Sequence, residues 1–342
     1  MSALALRRGT VVSVDREGPA AELTVEVAGE RRRALSYERM TGPVAAGDDV
    51  VVNVAAVDLA LGSGGFDIVH VNLTRGLDRH GEPGAHVMKL NYTSLQHAVH
   101  PVEETVEGGW QTAALGVGGK PVAVIARHGQ LPCVAWAAAQ ARPGARVGYV
   151  QSAGGALPGA LSRVVRELVE RGLLAGHVTA APAFGGDHEA ISTAGGLHAG
   201  LTTLGWDAAI AGPGPGILGS ATALGHGGLA ALDNAHAALA LGARAIVVPR
   251  MSEGDPRPRH HGLSHHTRVV LGLMLRPALV ALPAGEHTPL PGDHEPRVGD
   301  ADLDGYRGSG LPARTMGRGL DEDELFFRAS LAGGSVLGEE IE

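Results

Sequence analysis

Four histidines are crowded into one short segment, HHGLSHHT, where several imidazoles could share a proton-transfer or metal-binding task. They are His260, His261, His265 and His266. Ser264 is a favourable helix N-cap, so we expect His265 and His266 in the first turn of a helix. The positive end of the helix dipole lowers the pKa of an imidazole there, which keeps the ring neutral and able to act as a base or a ligand.

The histidine segment has two interpretations. As a functional loop, it predicts catalytic roles for His261, His265 and His266, and charged neighbours make Arg259 a candidate ligand-binding residue. A divalent metal would then take its ligands from His260, His261, His265 and Asp187. As a solvated polar loop, the segment would have a similar composition. It is not the zinc-protease motif, because the glutamate of that motif is missing.

A glycine- and proline-rich turn, GPGPGILGS at residues 212–220, follows the apolar run Ala208–Ala211 and precedes a small-residue helix pattern, Ala221–Leu241. It contains G-x-G-x-x-G, but Pro213 and Pro215 lack an N–H and no acidic residue ends the next strand, which disfavours a dinucleotide site. The lysine of a P-loop is also missing. We expect the turn to bind an anion at the helix N-terminus, with close strand–helix packing as the alternative. The candidate ligand-binding residues are Gly214, Gly216, Gly219 and Ser220.

Asp187 follows Gly185 and Gly186 at the predicted start of a helix over Glu189–Leu204. It is either the N-cap of that helix or a functional residue, and one carboxylate can serve both purposes. The functional interpretation makes Asp187 a catalytic acid-base group, or a ligand for a metal or a substrate hydroxyl. The two glycines would then approach the ligand. Lys89 alternates with apolar residues on a predicted strand, so it either lines a binding face or lies on a half-exposed strand.

The elements around these residues predict where they lie. From Pro121 onward, apolar strands alternate with helices, which predicts a parallel sheet covered on both faces. Ligands bind at the carboxyl ends of the strands in such sheets, so we expect the candidate site at that edge. The expected fold class is α/β, with a doubly wound, mostly parallel sheet and a small N-terminal β-barrel-like domain. The barrel-like domain covers residues 1–60, or extends to about residue 95. A Rossmann-like α/β domain with a long C-terminal surface segment covers residues 110–342.

Two further helices are predicted outside the strand–helix alternation. One covers Thr93–Glu107, although Pro101 argues for a break in it. The other covers Asp321–Leu331, after a surface segment at residues 283–319 that is rich in proline, glycine and charge.

Composition excludes several classes of function. The 342 residues include 28 basic and 36 acidic side chains, and a net charge of −8 with 3% aromatic residues disfavours nucleic acid as a partner. The one cysteine, Cys133, cannot form a disulfide within the chain, which fits the cytoplasm. No apolar stretch has the length of a signal peptide or a membrane span, so no membrane association is expected.

Four motifs together carry a family resemblance. They are VMKLNYTSLQ at Val87–Gln96, AFGGDHEA at Ala183–Ala190, GPGILGSATALG at Gly214–Gly225 and HHGLSHHT at His260–Thr267. In this order they resemble the bacterial domain-of-unknown-function family 3866 (DUF3866), over nearly the whole chain. The resemblance implies that these motifs belong together, and it transfers no established activity.

The sequence therefore predicts a cytoplasmic enzyme, of hydrolase or transferase type, that acts on a small anionic or phosphorylated metabolite. One alternative is a non-catalytic ligand-sensing or protein-interaction module, and another is a nucleotide-binding oxidoreductase. The cofactor stays open, with a divalent metal as the candidate. Helices rich in alanine and glycine allow close approach of a second copy, so a homodimer is expected.

Overall fold

Residues 4–62, 64–106 and 115–342 are described by a computed structural model, in which the chain divides into two units, Met1–Ala98 and Val99–Glu342. The first unit contains a closed five-stranded barrel whose buried residues, such as Leu23 and Val50, alternate with polar ones. Its strands are β1 Leu6–Arg16, β2 Ala20–Val27, β3 Glu30–Tyr37, β4 Asp49–Asn53 and β5 Asp67–Asn72. They are ordered β1-β2-β3-β5-β4, and β4 pairs with β1 to close the barrel. The expected barrel is confirmed, and its fifth strand lies beyond residue 60.

The helix expected over Thr93–Glu107 is wrong. The short strand β7 His97–Val99 and a single 3-10 turn, Val102–Thr105, occupy most of this stretch. Pro101 has no N–H and restricts the residue before it to an extended conformation, which ends any helix there. Glu107 lies outside the described residues. The remaining elements of the first unit are α1 Glu38–Thr41, α2 Ala55–Asp58 and β6 Val87–Lys89.

The second unit is built on an eight-stranded sheet in which every neighbouring pair of strands is parallel. In chain order the strands are β8 Pro121–Ile125, β9 Val147–Ser152, β10 His177–Ala180, β11 His188–Ala190, β12 Ala208–Pro213, β13 Arg244–Val248, β16 Leu279–Pro283 and β17 Glu295–Gly299. Between β13 and β16, the short strands β14 Met251–Ser252 and β15 Gly262–Leu263 pair with each other outside this sheet. Across the sheet the order is β11-β10-β9-β12-β8-β13-β16-β17. The central strands are buried along their whole length because helices cover both faces.

Most of the helical residues in the two apolar layers on the sheet come from the longer helices of the described chain. One layer contains residues of α3 Leu131–Ala141, α4 Arg163–Glu170 and α9 Glu324–Glu339. The other contains residues of α5 Thr193–Thr202, α6 Ala230–Ala240 and α7 His265–Leu273. The expected doubly wound α/β fold with a small N-terminal barrel is therefore confirmed.

Several element boundaries differ from the sequence expectation. The helix expected from Glu189 begins instead at Thr193, since His188–Ala190 pair with β10 as an edge strand. The helix expected from Ala221 begins at Ala230. The stretch expected to be a long surface segment contributes the mostly exposed edge strand β17 and the short helix α8 Leu303–Gly308.

The last helix, α9, is longer than expected and is one of the most buried elements of the sheet domain. Its glycines allow it to lie close against its neighbours. A Cβ at Gly334 would overlap the Val134 carbonyl oxygen of α3 and stand 2.7 Å from the Cβ of Ala137, and a Cβ at Gly333 would meet Val248 of β13. Glycine at these positions thus sets how closely α9 packs on α3 and the sheet.

We expect Gly334→Ala to lower the free energy of unfolding by about 1–3 kcal/mol, because the added methyl group meets rigid backbone in a packed core. Urea unfolding followed by circular dichroism measures the change. Gly308→Ala is the matched control, since a Cβ at Gly308 meets nothing within 4 Å at the end of α8, and it should leave stability unchanged or slightly higher. Equal stability of Gly334→Ala and the wild type would contradict the close packing.

Candidate functional site

The centre of the sheet brings two neighbouring strands to one crevice. β8 continues through α3 to β9, on one side of β8, whereas β13 continues to β16 on the other side. Connections that leave adjacent strands in opposite directions open a crevice at the carboxyl ends of those strands, where ligands bind in open α/β sheets. Arg127 follows β8 and Arg250 follows β13, so both arginines stand at this crevice.

A buried ionic network fixes the loop after β13. Arg250 has no exposed surface, and its Nη2 donates to Asp255 Oδ2 at 2.8 Å. Asp255 also accepts from Arg257 Nη2 at 2.8 Å and from Arg318 Nη2 at 3.4 Å, while Arg318 Nε donates to Asp323 at 2.9 Å. Burial alone would raise the pKa of Asp255, but the hydrogen bonds and charges of the arginines outweigh it and hold that pKa well below its usual range.

Arg250 also holds two histidines. Its Nη1 donates to His260 Nδ1 at 2.8 Å and lies 3.4 Å from His266 Nδ1. Because a guanidinium only donates, His260 accepts this hydrogen bond through the lone pair of its Nδ1. Burial and then the charges of Arg250 and Arg257 lower the pKa of His260 to about 3, and the pKa of His266 lies far below its ordinary value. Both rings are therefore neutral at pH 7.

Ser264 forms the expected N-cap. Its hydroxyl accepts from the backbone N–H of His266 at 3.3 Å and lies 2.7 Å from His260 Nδ1, and α7 begins at His265. The cap and the start of the helix are thus confirmed, and the cap orients two adjacent histidines toward the end of the sheet.

His226 joins the two histidines of α7. Its ring is stacked on His266 with the centroids 3.8 Å apart, and His265 stands 4.3 Å from His266. One nitrogen from each of the three rings can be chosen so that the atoms all lie within 4.8 Å of one another. His226 and His266 are only 6% and 5% exposed. This grouping could hold a metal ion, and sequence analysis placed His265 in it but not His226.

A cavity of about 570 Å³ opens beside the histidines. Four arginines line it, namely Arg127, Arg257, Arg259 and Arg318. Its other lining residues are Ile217, Leu218, Gly219, Ser220, Ala221, Pro256, His260, His266 and Met316, so none of the described residues that line it is acidic. Burial, then the charge of Arg257, lowers the pKa of Arg127 to about 10, and its Nε is buried without a hydrogen-bond partner among the described residues. The described residues therefore give the cavity a cationic lining, of a kind that could hold an anion.

The glycine turn lies beside this cavity but is not the helix N-terminus that we expected. Residues 217–226 form a loop that returns on itself, in which the Ser220 N–H donates a hydrogen bond to the Gly225 carbonyl oxygen at 2.6 Å. A 3-10 turn, Gly227–Leu229, then leads into α6. Gly219 and Ser220 line the cavity, whereas Gly214 packs against Ala156. The expected anion site at a helix N-terminus is therefore wrong, because no helix begins at this turn. The positive charge beside the turn comes from the arginines that line the cavity.

Gly216 has a φ of 73°, a left-handed conformation that glycine adopts at low cost, and it does not line the cavity. Its role is in the shape of the turn rather than in contact with a ligand. Ile217 and Leu218, which follow it, do reach the cavity.

Asp187 does not meet the histidines. It precedes β11, at the amino edge of the sheet, where its carboxylate accepts from the His177 N–H at 3.0 Å. The histidines lie at the carboxyl edge. The N-cap of the following helix is Ser192, not Asp187. The N-cap role expected for Asp187 is wrong, because the residues after it form a strand. The catalytic and metal-ligand roles expected for it beside the histidines are also wrong, because it lies at the opposite edge of the sheet.

Four other candidates have structural partners. His261 Nε2 donates to the Asp255 carbonyl, which ties it to the loop rather than to the other imidazoles. The Gly185 N–H donates to Glu189 at 2.7 Å, and Gly186 lies against β10, where a Cβ would come 2.9 Å from the His177 carbonyl oxygen. Lys89 is buried within the Met1–Ala98 unit. None of the four lines the cavity.

Comparison with known proteins identifies a family. A family model described as "Protein of unknown function (DUF3866)" matches residues 33–334, so the chain belongs to this family. No curated protein and no solved structure is detectably similar to it. Within the part of the chain that the structure describes, no helix has the length and apolar character needed to cross a bilayer.

We expect Asp255→Asn to destabilise the protein by about 3–5 kcal/mol, because it leaves the guanidinium of Arg250 buried without a counter-charge. Chemical denaturation at pH 7 measures this loss. Asp321→Asn removes an exposed carboxylate that pairs with Arg307 and should cost less than about 1 kcal/mol.

The stability that the Asp255 carboxylate contributes should depend on pH. The lowered pKa of Asp255 means that its stabilisation is complete above the unfolded-state pKa of about 4 and is lost as the pH falls toward the lower folded-state value. The stability difference between wild type and Asp255→Asn should therefore shrink below pH ~4. A difference that stays constant down to pH ~2 would show that the carboxylate does not carry the effect.

Proposed function

We propose that this member of the DUF3866 family is an enzyme, of hydrolase or transferase type, that acts on a small anionic metabolite at the carboxyl edge of its sheet. One observation carries the proposal: four arginines line a cavity to which the described residues contribute no acidic side chain. Such a concentration of charge is costly in the empty pocket and is offset when an anion binds.

The arginines differ in how they are held. Arg257 and Arg318 are positioned by Asp255, which neutralises part of their charge. Among the described residues, no carboxylate pairs with Arg127, and its buried Nε has no hydrogen-bond partner. Guanidinium groups match phosphate and carboxylate oxygens with paired hydrogen bonds, so a phosphorylated metabolite suits this pocket best. The cavity volume is that of a small-molecule site.

The position of the pocket supports chemistry as well as binding. Arginines around a phosphoryl or carboxyl group stabilise the negative charge that develops during group transfer. His260 lines the same cavity and offers an imidazole for proton transfer. The buried cysteine of α3, Cys133, and the single-cysteine composition fit an enzyme of the reducing cytoplasm.

The two alternatives are less well supported. A nucleotide-binding oxidoreductase of Rossmann-like type would place a pyrophosphate on a helix that begins at the glycine turn, but here residues 217–226 separate that turn from α6. A non-catalytic sensor would use the same arginine pocket without turnover. Release of product from a panel of phosphate esters separates the sensor from the enzyme.

Removing the charge of Arg127 tests the anion pocket. We expect Arg127→Met to weaken binding of pyrophosphate, used as the probe, by about 10- to 100-fold, because a charge-assisted hydrogen bond contributes about 1.5–3 kcal/mol. Isothermal titration of protein stripped of metal with a chelator measures the affinity, and wild-type affinity should fall with added salt.

Arg276→Met is the matched control, since Arg276 is exposed before β16, at the opposite edge of the sheet, and the variant should bind as the wild type does. The anion-pocket proposal fails if the wild type does not bind pyrophosphate, or if both variants bind it equally well. If pyrophosphate binds but no ester is turned over, the sensor is the better description.

A further inference from the structure

The three clustered histidines have unmet bonding capacity that the arginine pocket does not explain. Both ring nitrogens of His226 and both of His265 are buried, and none of them makes a hydrogen bond of good geometry with the described residues. A buried polar atom left without a partner costs about 1–3 kcal/mol. Four such atoms on two adjacent rings therefore indicate a missing partner.

The geometry around these rings is that of a small binding site for a cation. His266 contributes a third imidazole, stacked on His226 and almost fully buried. The chosen nitrogens of the three rings lie within 4.8 Å of one another. Nitrogens bound at about 2.0–2.1 Å to one tetrahedral ion stand about 3.4 Å apart. Because His226 and His266 are stacked, at least one of these two side chains would have to rotate before the lone pairs of the three rings converge on one ion.

We propose that His226, His265 and His266 bind one divalent transition-metal ion of the zinc type. Imidazole nitrogen is a preferred ligand of zinc and its neighbours in the first transition series, and three protein ligands are the usual number at a catalytic zinc site. His266 also lines the arginine cavity, so the ion would stand at the margin of the anion pocket.

The surroundings of the rings support ligation in a second way. The Ala223 carbonyl lies near His226 and the Arg259 carbonyl near His265. A histidine that binds a metal donates its other N–H, most often to a carbonyl or a carboxylate. These two carbonyls stand where such acceptors are needed.

The nearby arginines oppose a cation, so their charge has to be considered. Arg250 is paired with Asp255, which offsets one of the positive charges closest to the histidines. An anion in the cavity would offset more. Metal and anion should therefore strengthen each other's binding by the same factor, as linkage requires. The metal's chemical role rests on the proposed function: it would polarise the anion or activate a water molecule.

Metal binding is tested without any substrate. Chelator-treated protein is titrated with Co²⁺ alone and with Zn²⁺ alone, followed by visible absorption for cobalt and by calorimetry for zinc. We expect one ion per chain, and loss of affinity by at least about 100-fold in His226→Ala and His265→Ala, because even outer-shell substitutions cost 10- to 100-fold. His287→Ala, at an exposed histidine outside the cluster, is the control and should bind as the wild type does.

Because an alanine variant can lose binding by unfolding, His226→Cys provides a positive test. A thiolate is a good ligand for the same ions, so this variant should retain cobalt and gain a sulfur-to-cobalt charge-transfer band. Absence of tight metal binding by the wild type, equal affinity in the histidine variants, or retained cobalt without the new band would each overturn the proposed site.

Adding pyrophosphate to the same titrations separates this inference from the proposed function. A rise in metal affinity with pyrophosphate supports both. Metal bound by the three histidines without any binding of pyrophosphate supports the metal site and overturns the anion pocket. Pyrophosphate bound through Arg127, with no metal bound, supports the pocket and overturns the metal site.

Discussion

The candidate site depends on the ion pairs of one carboxylate, that of Asp255. It stands between three guanidinium groups, and one of them, on Arg250, has no access to water. A buried arginine is tolerable only with such a partner. Once Arg250 is fixed, its second nitrogen fixes His260 and faces His266. The loop after β13, the position of His260 and two of the four cavity arginines, Arg257 and Arg318, follow from this one neutralised charge.

Prediction of strands and helices from the sequence succeeded where local patterns carry the information. Continuous apolar runs such as Pro121–Ile125 indicated buried parallel strands, and the serine of HHGLSHHT marked the start of α7 correctly. It failed where a residue's surroundings are set by distant parts of the chain. The strand His188–Ala190 is three residues long and is held by pairing with β10. A segment this short has no hydrophobic periodicity that could identify it as a strand. Because of this error, Asp187 was predicted at the carboxyl edge of the sheet, whereas it lies at the amino edge.

The residues missed at the site have a common cause. Arg127 and Arg318 are nearly 200 positions apart in the sequence and meet only because the order of the strands places their loops side by side. A rule that looks for chemistry just after each predicted strand would have found Arg127 and Arg250. His226 had a weaker signal, since it stands alone after the glycine motif. A single histidine is informative only when the loop that carries it is known to return toward α7.

The burial of α9 has a consequence for how the protein is made. Chains emerge from the ribosome from the amino end, and the barrel can fold as soon as β5 has appeared. The sheet domain cannot do the same, because α9 covers one face of it and Arg318 and Asp323 complete the network around Asp255. Until these last segments arrive, an apolar face and a charged loop stay open on the nascent chain. The interval exposes the sheet to aggregation and delays the assembly of the site until α9 has been synthesised.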